Sequence, residues 1–409
     1  MSEPDRTALT YRLELRKAVA QGVLEAGGAT FLLLIALRWF GAGATAKALV
    51  ASGGSMGLLL SPVVVSTVAR LGWPAARGAM ALALSGGVLF LVTALWDWLP
   101  LYVFGAMVGM ACATAAVPLM TQIYQENYPA RRRGKLYSRT VMVRIAAVAG
   151  FSELGGRLLS ADISRFRWIL IAFAAALFYG ASCLARMPSR PLADDGGSHP
   201  FRAMRFLRSD RVFRHVLICW MLMGFANLMM LPMRVEYLAN ERYGLSLDVQ
   251  MVALLTGVIP SVARLVMSQL WGWLFDRVDF LALRIFLNIG FAAAILTFFL
   301  SDSLTGLVLG AVIFGASNSG GDVAWGLWVT KFAPPAQTAD YMSVHTFLTG
   351  VRGVLAPLVA FHFAHQASIS SLGWLAAGLI GAASLLLVPE AWRRQQTGAD
   401  RPALPADGR

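Results

Sequence analysis

Five ionisable side chains stand out within apolar stretches that are each long enough to cross a lipid bilayer. A charge inside such a stretch costs a few kcal/mol to insert, so it normally faces a cavity or a partner. Carboxylates in this setting take up and release protons, while arginines hold them or bind anionic groups. The sequence therefore predicts ion pairing and proton transfer at these five positions, which are Glu25, Arg144, Arg264, Asp322 and Arg352.

Depth along the helices suggests how these charges pair. At 1.5 Å per residue, Glu25 lies about 12 Å and Arg144 about 10 Å from the same membrane surface. Asp322 and Arg352 lie about 12 Å and about 18 Å from that surface by the same rise. We therefore expect two pairs, Glu25 with Arg144 and Asp322 with Arg352. Two interpretations remain open, a structural salt bridge in each case or a carboxylate that exchanges a proton during a transport cycle.

Polar neighbours extend these positions into candidate binding walls. Gln21 shares a helix face with Glu25, and Asn318 and Trp325 share one with Asp322. An amide, an acid and an aromatic ring together suit a polar organic solute, although helix packing at Gly320-Gly321 is the alternative. Asn227 is a further candidate, and interhelical hydrogen bonding is the alternative role for it.

Composition places these residues in a membrane protein. The chain of 409 residues is 57% hydrophobic and only 14% charged, whereas soluble domains carry about 25% charged residues. We find no P-loop, GxSxG, HExxH or GxGxxG motif, so the sequence does not predict an enzyme. The three cysteines lie in apolar blocks without metal-ligand spacing, so neither a metal nor a cofactor is expected.

Twelve apolar spans account for most of the chain, and the fold class that we predict is an all-α integral membrane protein. Six spans precede an arginine-rich central stretch and six follow it. We expect a six-helix bundle at 1–187, a cytoplasmic linker at 188–211, a second six-helix bundle at 212–389 and a polar tail at 390–409. The predicted spans are 17–38, 46–69, 76–96, 99–124, 137–160, 167–187, 212–239, 247–274, 281–301, 304–330, 340–364 and 368–389.

The basic residues predict the orientation of these spans. With both termini on one side, 25 of the 35 lysines and arginines lie on that side, and 7 lie on the other. Arginine and lysine accumulate on the cytoplasmic side of membrane proteins, so both termini are expected to be cytoplasmic. The net charge of +13 then reflects contact with the anionic lipid surface. A nucleic-acid partner is not expected, despite the basic central stretch.

The two halves of the chain resemble repeats. Pro129-Ala130 and Pro335-Ala336 are offset by 206 residues, and Arg144 and Arg352 by 208. The turn at Ala69-Arg70 matches the turn at Asp276-Arg277 with an offset of 207. A near-constant offset at three places indicates two parallel repeats, the arrangement expected of the two halves of major facilitator transporters.

One motif carries a more specific resemblance. The eighth span ends in Trp-Gly-Trp-Leu-Phe-Asp-Arg, with Gly272, Asp276 and Arg277 at the positions of a G-x-L-x-D-R signature. This resembles the cytoplasmic turn of the major facilitator superfamily, where the motif latches the two halves together. The match is partial, because Val278-Asp279-Phe280 follows it and the first-half copy has Ala69 in place of the aspartate.

The resemblance implies a secondary active transporter in a bacterial inner membrane that moves a small solute, with protons and lipid as its other partners. We expect a monomer, and proton coupling as symport or antiport. Two alternatives remain open, an organic-anion carrier or exchanger that uses the intramembrane arginines, and a non-transporting scaffold or sensor with a transporter fold. The sequence predicts neither the solute nor the direction of transport.

Overall fold

The computed structural model describes residues 3–191, 202–328 and 338–397, and these residues are almost entirely helical. No β-strand occurs within those three ranges. The α-helices are α1 (Glu3–Ala26), α2 (Leu32–Arg38), α3 (Ala44–Arg70), α4 (Ala75–Leu95), α5 (Leu99–Ala115), α6 (Val117–Asn127), α7 (Ala130–Ala161), α8 (Phe166–Leu184), α9 (Phe206–Ser209), α10 (Arg211–Ala239), α11 (Val249–Ala253), α12 (Ile259–Arg277), α13 (Phe280–Phe299), α14 (Leu304–Leu327), α15 (Thr338–Phe363) and α16 (Ile369–Thr397).

These helices combine into twelve long rods in the described part of the chain, which confirms the predicted fold class. α1 continues through a π-helical turn at Gly27–Phe31 into α2, and α11 continues through a second one at Leu254–Val258 into α12. α5 and α6 also form one rod, and the short α9 precedes α10. Eleven rods are long and apolar enough to cross a membrane. The remaining one, α7, carries arginines along much of its length.

Acidic and hydroxyl side chains fix where several helices begin. Asp210 accepts a hydrogen bond from the backbone N–H of Phe213 at the start of α10. Asp248, Asp279 and Ser303 cap α11, α13 and α14 in the same way. Each cap satisfies a backbone donor that the first helical turn leaves free. The polar residues between the apolar spans therefore set the lengths of the rods.

The two ends of the chain are more helical than the sequence predicts. α1 begins at Glu3, where a polar segment is predicted, because Thr7 and Glu14 contact the end of α6 through Asn127 and Tyr124. α16 extends to Thr397, beyond the predicted end at residue 389, because Ala391 is buried against the core. The rest of the predicted tail, 398–409, and the linker residues 192–201 lie outside the described residues.

The rods alternate in direction, which gives the molecule two ends. We call the end with the loops 71–74, 128–129 and 278–279 the terminal side, because α1 begins there. The opposite side carries the loops 39–43, 96–98, 240–248 and 300–303. These names carry no assumption about the membrane.

The halves of the chain share apolar contacts on the opposite side. A cluster of buried residues from α10 to α16 includes Leu33, Leu34 and Ala48 from the first half. In contrast, a cluster around Trp220 and Trp328 near the terminal side contains only residues from 206 onwards. The helices before the central stretch therefore meet those after it at the opposite side, along α3 and α15, and where α7 packs against α11 and α12.

Glycines permit the close contact between α3 and α15. A Cβ atom at Gly350 would lie 2.7 Å from the Cα atom of Leu59, and one at Gly353 would lie 2.5 Å from the Cβ atom of Ser55. Such separations are too short for any larger residue, so glycine is required for the two backbones to approach. This contact brings the two halves together in the middle of the molecule.

Candidate functional site

Arg264 lies at the centre of a network of four charged side chains. Its Nη1 atom is 2.6 Å from Oε1 of Glu25, and its Nε atom is 2.6 Å from Oδ2 of Asp322. The Nε atom of Arg144 is 3.1 Å from the other oxygen of Glu25. We call these four residues the charge network. Its two arginines and two carboxylates balance in charge, which reduces the cost of placing them inside the protein.

The charge network joins four rods, two from each half of the chain. Glu25 lies on α1 and Arg144 on α7, whereas Arg264 lies on α12 and Asp322 on α14. The contact of Arg264 with Glu25 therefore crosses between the halves, whereas its contact with Asp322 lies within the second half. Any motion that separates the halves at this depth must break the contact between Arg264 and Glu25.

Both π-helical turns lie beside this network. Glu25 comes just before the turn at Gly27–Phe31, and Arg264 follows the turn at Leu254–Val258 by one and a half helical turns. The turns contact each other through the hydroxyl groups of Thr30 and Thr256, whose oxygens are 2.8 Å apart. π-helical turns within α-helices are frequently found at functional sites.

The carboxylates of the network are more exposed than its central arginine. The side chains of Glu25 and Asp322 are 33% and 38% exposed, whereas that of Arg264 is 8% exposed. Both acids thus border open space while the guanidinium is buried between them. A buried guanidinium that holds two accessible carboxylates is suited to exchange of a proton or of a charged solute.

One of the two predicted ion pairs is present. Glu25 pairs with Arg144, as the depth argument predicts. The prediction that Asp322 pairs with Arg352 is wrong, because α14 packs against α12 and Asp322 therefore meets Arg264. Arg352 instead donates a hydrogen bond of 2.6 Å to the carbonyl oxygen of Trp220 on α10.

The remaining predicted site residues lie in three places. Gln21 and Asn318 are half-buried, each one helical turn before an acid of the charge network. Trp325 packs against His345, with their ring centroids 5.6 Å apart. Asn227 lies elsewhere, in the lining of a small apolar cavity that also includes Arg234 and Phe314. The structure thus brings Gln21 and Asn318 near the network and places Asn227 apart from it.

The predicted gating motif is only partly described. Its residues Gly272, Asp276 and Arg277 form the end of α12, but their side chains lie outside the part that the structure describes. The sequence predicts that Asp276 faces the start of α7 near Tyr137, whose side chain is 44% exposed and packs against Tyr124. The latch between this turn and the start of α7 stays a prediction.

The structure contains a second ion pair between the halves, which the sequence does not predict. The Nζ atom of Lys47 on α3 is 2.5 Å from Oε1 of Glu236 on α10, and both side chains are at most 5% exposed. Asn240 donates a further hydrogen bond of 2.7 Å to the same oxygen of Glu236. The count of basic residues places Lys47 with the charges of the surface opposite the termini, whereas its side chain is buried at the contact between the halves.

Further hydrogen bonds join the two halves near the Lys47–Glu236 pair. The guanidinium of Arg38 donates a hydrogen bond of 3.0 Å to the carbonyl oxygen of Leu247 across the halves. Ser160 and Asp248 also meet across the halves at 3.1 Å. All of these contacts lie on the opposite side, so the charge network is shielded from that side.

Among the described residues, no three or more histidine, cysteine, aspartate or glutamate side chains form a group that would hold a metal ion. The charge network itself offers ion pairs and carboxylates that can exchange protons. An oxygen-rich cation site would need several carboxylates without arginine partners. Here each carboxylate of the charge network already contacts at least one guanidinium.

Solved structures of transporters share this architecture. A mutant of the nucleoside transporter NupG superposes with a TM-score of 0.74 at 12% identity, covering 93% of this chain and 99% of that one. The human organic anion transporter MFSD10 gives 0.65 at 16% identity, covering 95% and 100%. A D-xylose-proton symporter gives 0.61 at 15% identity, covering 94% and 96%. These likenesses show the fold.

Sequence comparison identifies the family. No curated protein matches the chain in sequence at a significant level. The sequence model of the Major Facilitator Superfamily matches residues 76–357, which is more than half of the chain. With its twelve helical rods and transporter-like architecture, the chain is a multi-pass membrane protein that belongs to the Major Facilitator Superfamily.

Proposed function

We propose that the chain is a secondary active transporter that moves a small solute across a bacterial inner membrane in exchange with, or together with, protons. The observation that carries this proposal is the contact of Arg264 with Glu25 of the other half and Asp322 of its own half. A charge network placed across two bundles makes their relative position depend on the charge of its members. An enzyme would not require such a connection.

Asp322 is the group that we expect to exchange the proton. Among the described residues it has a single ion-pair partner, Arg264, whereas Glu25 has two, Arg264 and Arg144. Neutralising Asp322 therefore breaks one ion pair and frees Arg264 to interact more strongly with Glu25 or with a solute. Neutralising Glu25 breaks two ion pairs at once, including the one by which the charge network connects the halves.

The proposed cycle assigns the first and second bundles, 1–187 and 212–389, to the two moving units. The positive charge on the terminal side supports a cytoplasmic location for both termini. In that orientation the Lys47–Glu236 pair closes the periplasmic side, and the described conformation is shut towards the periplasm. Opening of that side requires this pair and the Arg264–Glu25 contact to separate.

The named relatives support transport of small polar solutes, since they include transporters of nucleosides, organic anions and D-xylose with protons. Gln21 and Asn318 supply hydrogen-bonding groups beside the charge network, which suits a solute with hydroxyl, amide or charged groups. An organic anion is the second candidate. Arg144 is the more exposed arginine of the charge network, at 26%, and offers a guanidinium to a carboxylate or phosphate.

A flux measurement tests the proposal. A panel of metabolites is first screened for those that raise the thermal unfolding midpoint of the purified protein. Each candidate is then tested as a radiolabelled solute with the wild-type protein in proteoliposomes. We expect saturable uptake that an imposed pH gradient accelerates several-fold, because the gradient drives the proton on and off the network.

Protein-free liposomes serve as the control for passive leak. Solute movement without any response to the pH gradient would contradict proton coupling and favour an exchanger. A stabilising solute that is bound but never moved would contradict transport and favour a scaffold or sensor with this fold.

A further inference from the structure

Three basic side chains surround Trp220 in the second half of the chain, away from the charge network. They are Arg284 on α13 and His345 and Arg352 on α15, and each is at most 9% exposed. We call these three residues the Trp220 cluster. The position of Arg284 near the start of its span predicts that it lies with the charges of the cytoplasmic surface, whereas its side chain is buried in the bundle.

The contacts of Arg284 are weak ones for a buried cation. Its Cζ atom lies 4.0 Å from the centroid of the Trp220 ring, and its Nη2 atom lies 3.1 Å from the sulfur of Met223. A cation over an indole is attracted to the ring, and a thioether sulfur is only a weak acceptor. Neither contact neutralises the positive charge.

Arg352, on α15, packs against the same face of α10, between Trp220 and Gly224 one helical turn further on. Its Nη1 atom donates to the carbonyl oxygen of Trp220, and the absence of a side chain at Gly224 makes room for the guanidinium. Its buried Nε atom has no hydrogen-bond partner. One carbonyl oxygen therefore accepts from this guanidinium, and part of its donor capacity is unused.

His345 completes the cluster. Its side chain is fully buried, and neither ring nitrogen has a hydrogen-bond partner. The rings of Trp220, Trp325 and Trp328 surround it, with centroid distances from 5.2 to 5.6 Å. A buried imidazole normally donates or accepts at least one hydrogen bond.

No acidic side chain pairs with these three residues in the described part of the chain. Guanidinium groups stay charged in proteins, so two positive charges are buried here without a counter-charge. Burial of an unpaired charge is strongly unfavourable, and buried charges are normally paired. Arg352 and His345 have ring or guanidinium nitrogens without a partner, and Arg284 has only weak partners. Among the described residues, none of the three forms an ion pair with an acidic side chain.

We propose that Arg284, Arg352 and His345 bind a compact oxyanion, a phosphate group, in the second bundle beside Trp220. Guanidinium groups bind phosphate oxygens through paired N–H donors, and the imidazole supplies a third donor. The phosphate comes from free inorganic phosphate or from the headgroup of an anionic lipid. This site does not depend on the proposed transport function.

Thermal unfolding of the wild-type protein in neutral detergent tests the proposal. Inorganic phosphate is titrated against chloride at the same ionic strength, and in a separate arm a short-chain phosphatidylglycerol is titrated against a zwitterionic lipid. We expect saturable stabilisation of a few degrees in one arm. Stabilisation by phosphate identifies the free anion, and stabilisation by phosphatidylglycerol alone identifies the headgroup.

Variants locate the effect. Arg284→Met and Arg352→Met replace a buried guanidinium by an apolar group, a change that buried charges often tolerate. Each is expected to reduce phosphate or lipid affinity at least tenfold. Arg157→Met is the matched control, because its side chain is 67% exposed and pairs only with Glu153.

The absence of saturable stabilisation in both arms of the wild-type experiment overturns the proposal without any variant. An equal response of Arg157→Met and Arg352→Met would also overturn it, since the effect would then follow net charge. If a methionine variant fails to fold, direct binding of labelled phosphate to the wild-type protein, competed by sulfate, decides the question.

Discussion

Arg264→Gln is expected to reduce solute flux at least 100-fold in proteoliposomes. The substitution leaves Glu25 and Asp322 on either side of a neutral side chain, with Arg144 as the remaining cation of the network. Removing one partner of a buried ion pair typically costs about 3–5 kcal/mol, because the remaining charge is left unpaired. We expect thermal stability to fall as well, and initial rates of uptake to show the larger effect.

Two controls separate this effect from a general loss of charge. Arg157→Gln removes the same charge from an exposed position and is expected to transport normally. Arg264→Lys keeps the charge, but one ammonium group cannot reproduce the two directed contacts that Nε and Nη1 make, so we expect an intermediate rate. Wild-type flux in folded Arg264→Gln protein would show that the network is structural.

Glu236→Gln is expected to open the side of the molecule that the Lys47–Glu236 pair now closes. The substitution leaves the Lys47 ammonium buried without an acid, and breaking such a pair costs about 3–5 kcal/mol. Opening returns Lys47 to water, so the population should shift at least 100-fold towards the open state. A cysteine at Thr30, which is fully buried at the contact between the halves, reports the shift by its rate of labelling with a membrane-impermeant maleimide.

The labelling is performed in a background in which Cys112, Cys183 and Cys219 are replaced by alanine. The double variant Lys47→Met with Glu236→Leu provides the matched control, since an apolar pair leaves no buried charge and should keep this side closed. Equal labelling rates in Glu236→Gln and in the parent protein would contradict a role for the pair in closure.

The sequence predicts much of the architecture because that information is local. Apolar length predicts each rod, and polar residues such as Asp210 and Asp248 mark where helices begin. The depth of a charge along its helix is also local, which is why the pairing of Glu25 with Arg144 is predicted correctly. Neither prediction requires knowledge of how the rods are arranged sideways.

Lateral order is the information that the sequence lacks. Three arginines lie within spans, and Asp322 pairs with Arg264 because α14 and α12 are neighbours. The offset of 208 residues between Arg144 and Arg352 suggested equal roles, yet only Arg144 joins the charge network. Repeat-related positions thus retain similar depth while their partners differ.

Counting residues along a span also does not predict how the helix is rotated about its own axis. Lys47, Arg234 and Arg284 were counted with the charges of the two surfaces, yet their side chains are at most 5% exposed. Arg234 packs over the ring of Phe314, with its Cζ atom 3.7 Å from the ring centroid. Basic residues near the ends of spans can therefore point into the bundle, and only packing shows which of them do.

The pH-gradient dependence of flux in Asp322→Asn tests the central claim most directly. The asparagine keeps the size of the side chain but cannot exchange a proton. We predict that an imposed pH gradient accelerates solute uptake by the wild-type protein several-fold and leaves uptake by Asp322→Asn unchanged, while solute exchange without a gradient persists in the variant. Acceleration of Asp322→Asn to the same extent as the wild-type protein would contradict proton coupling through the charge network.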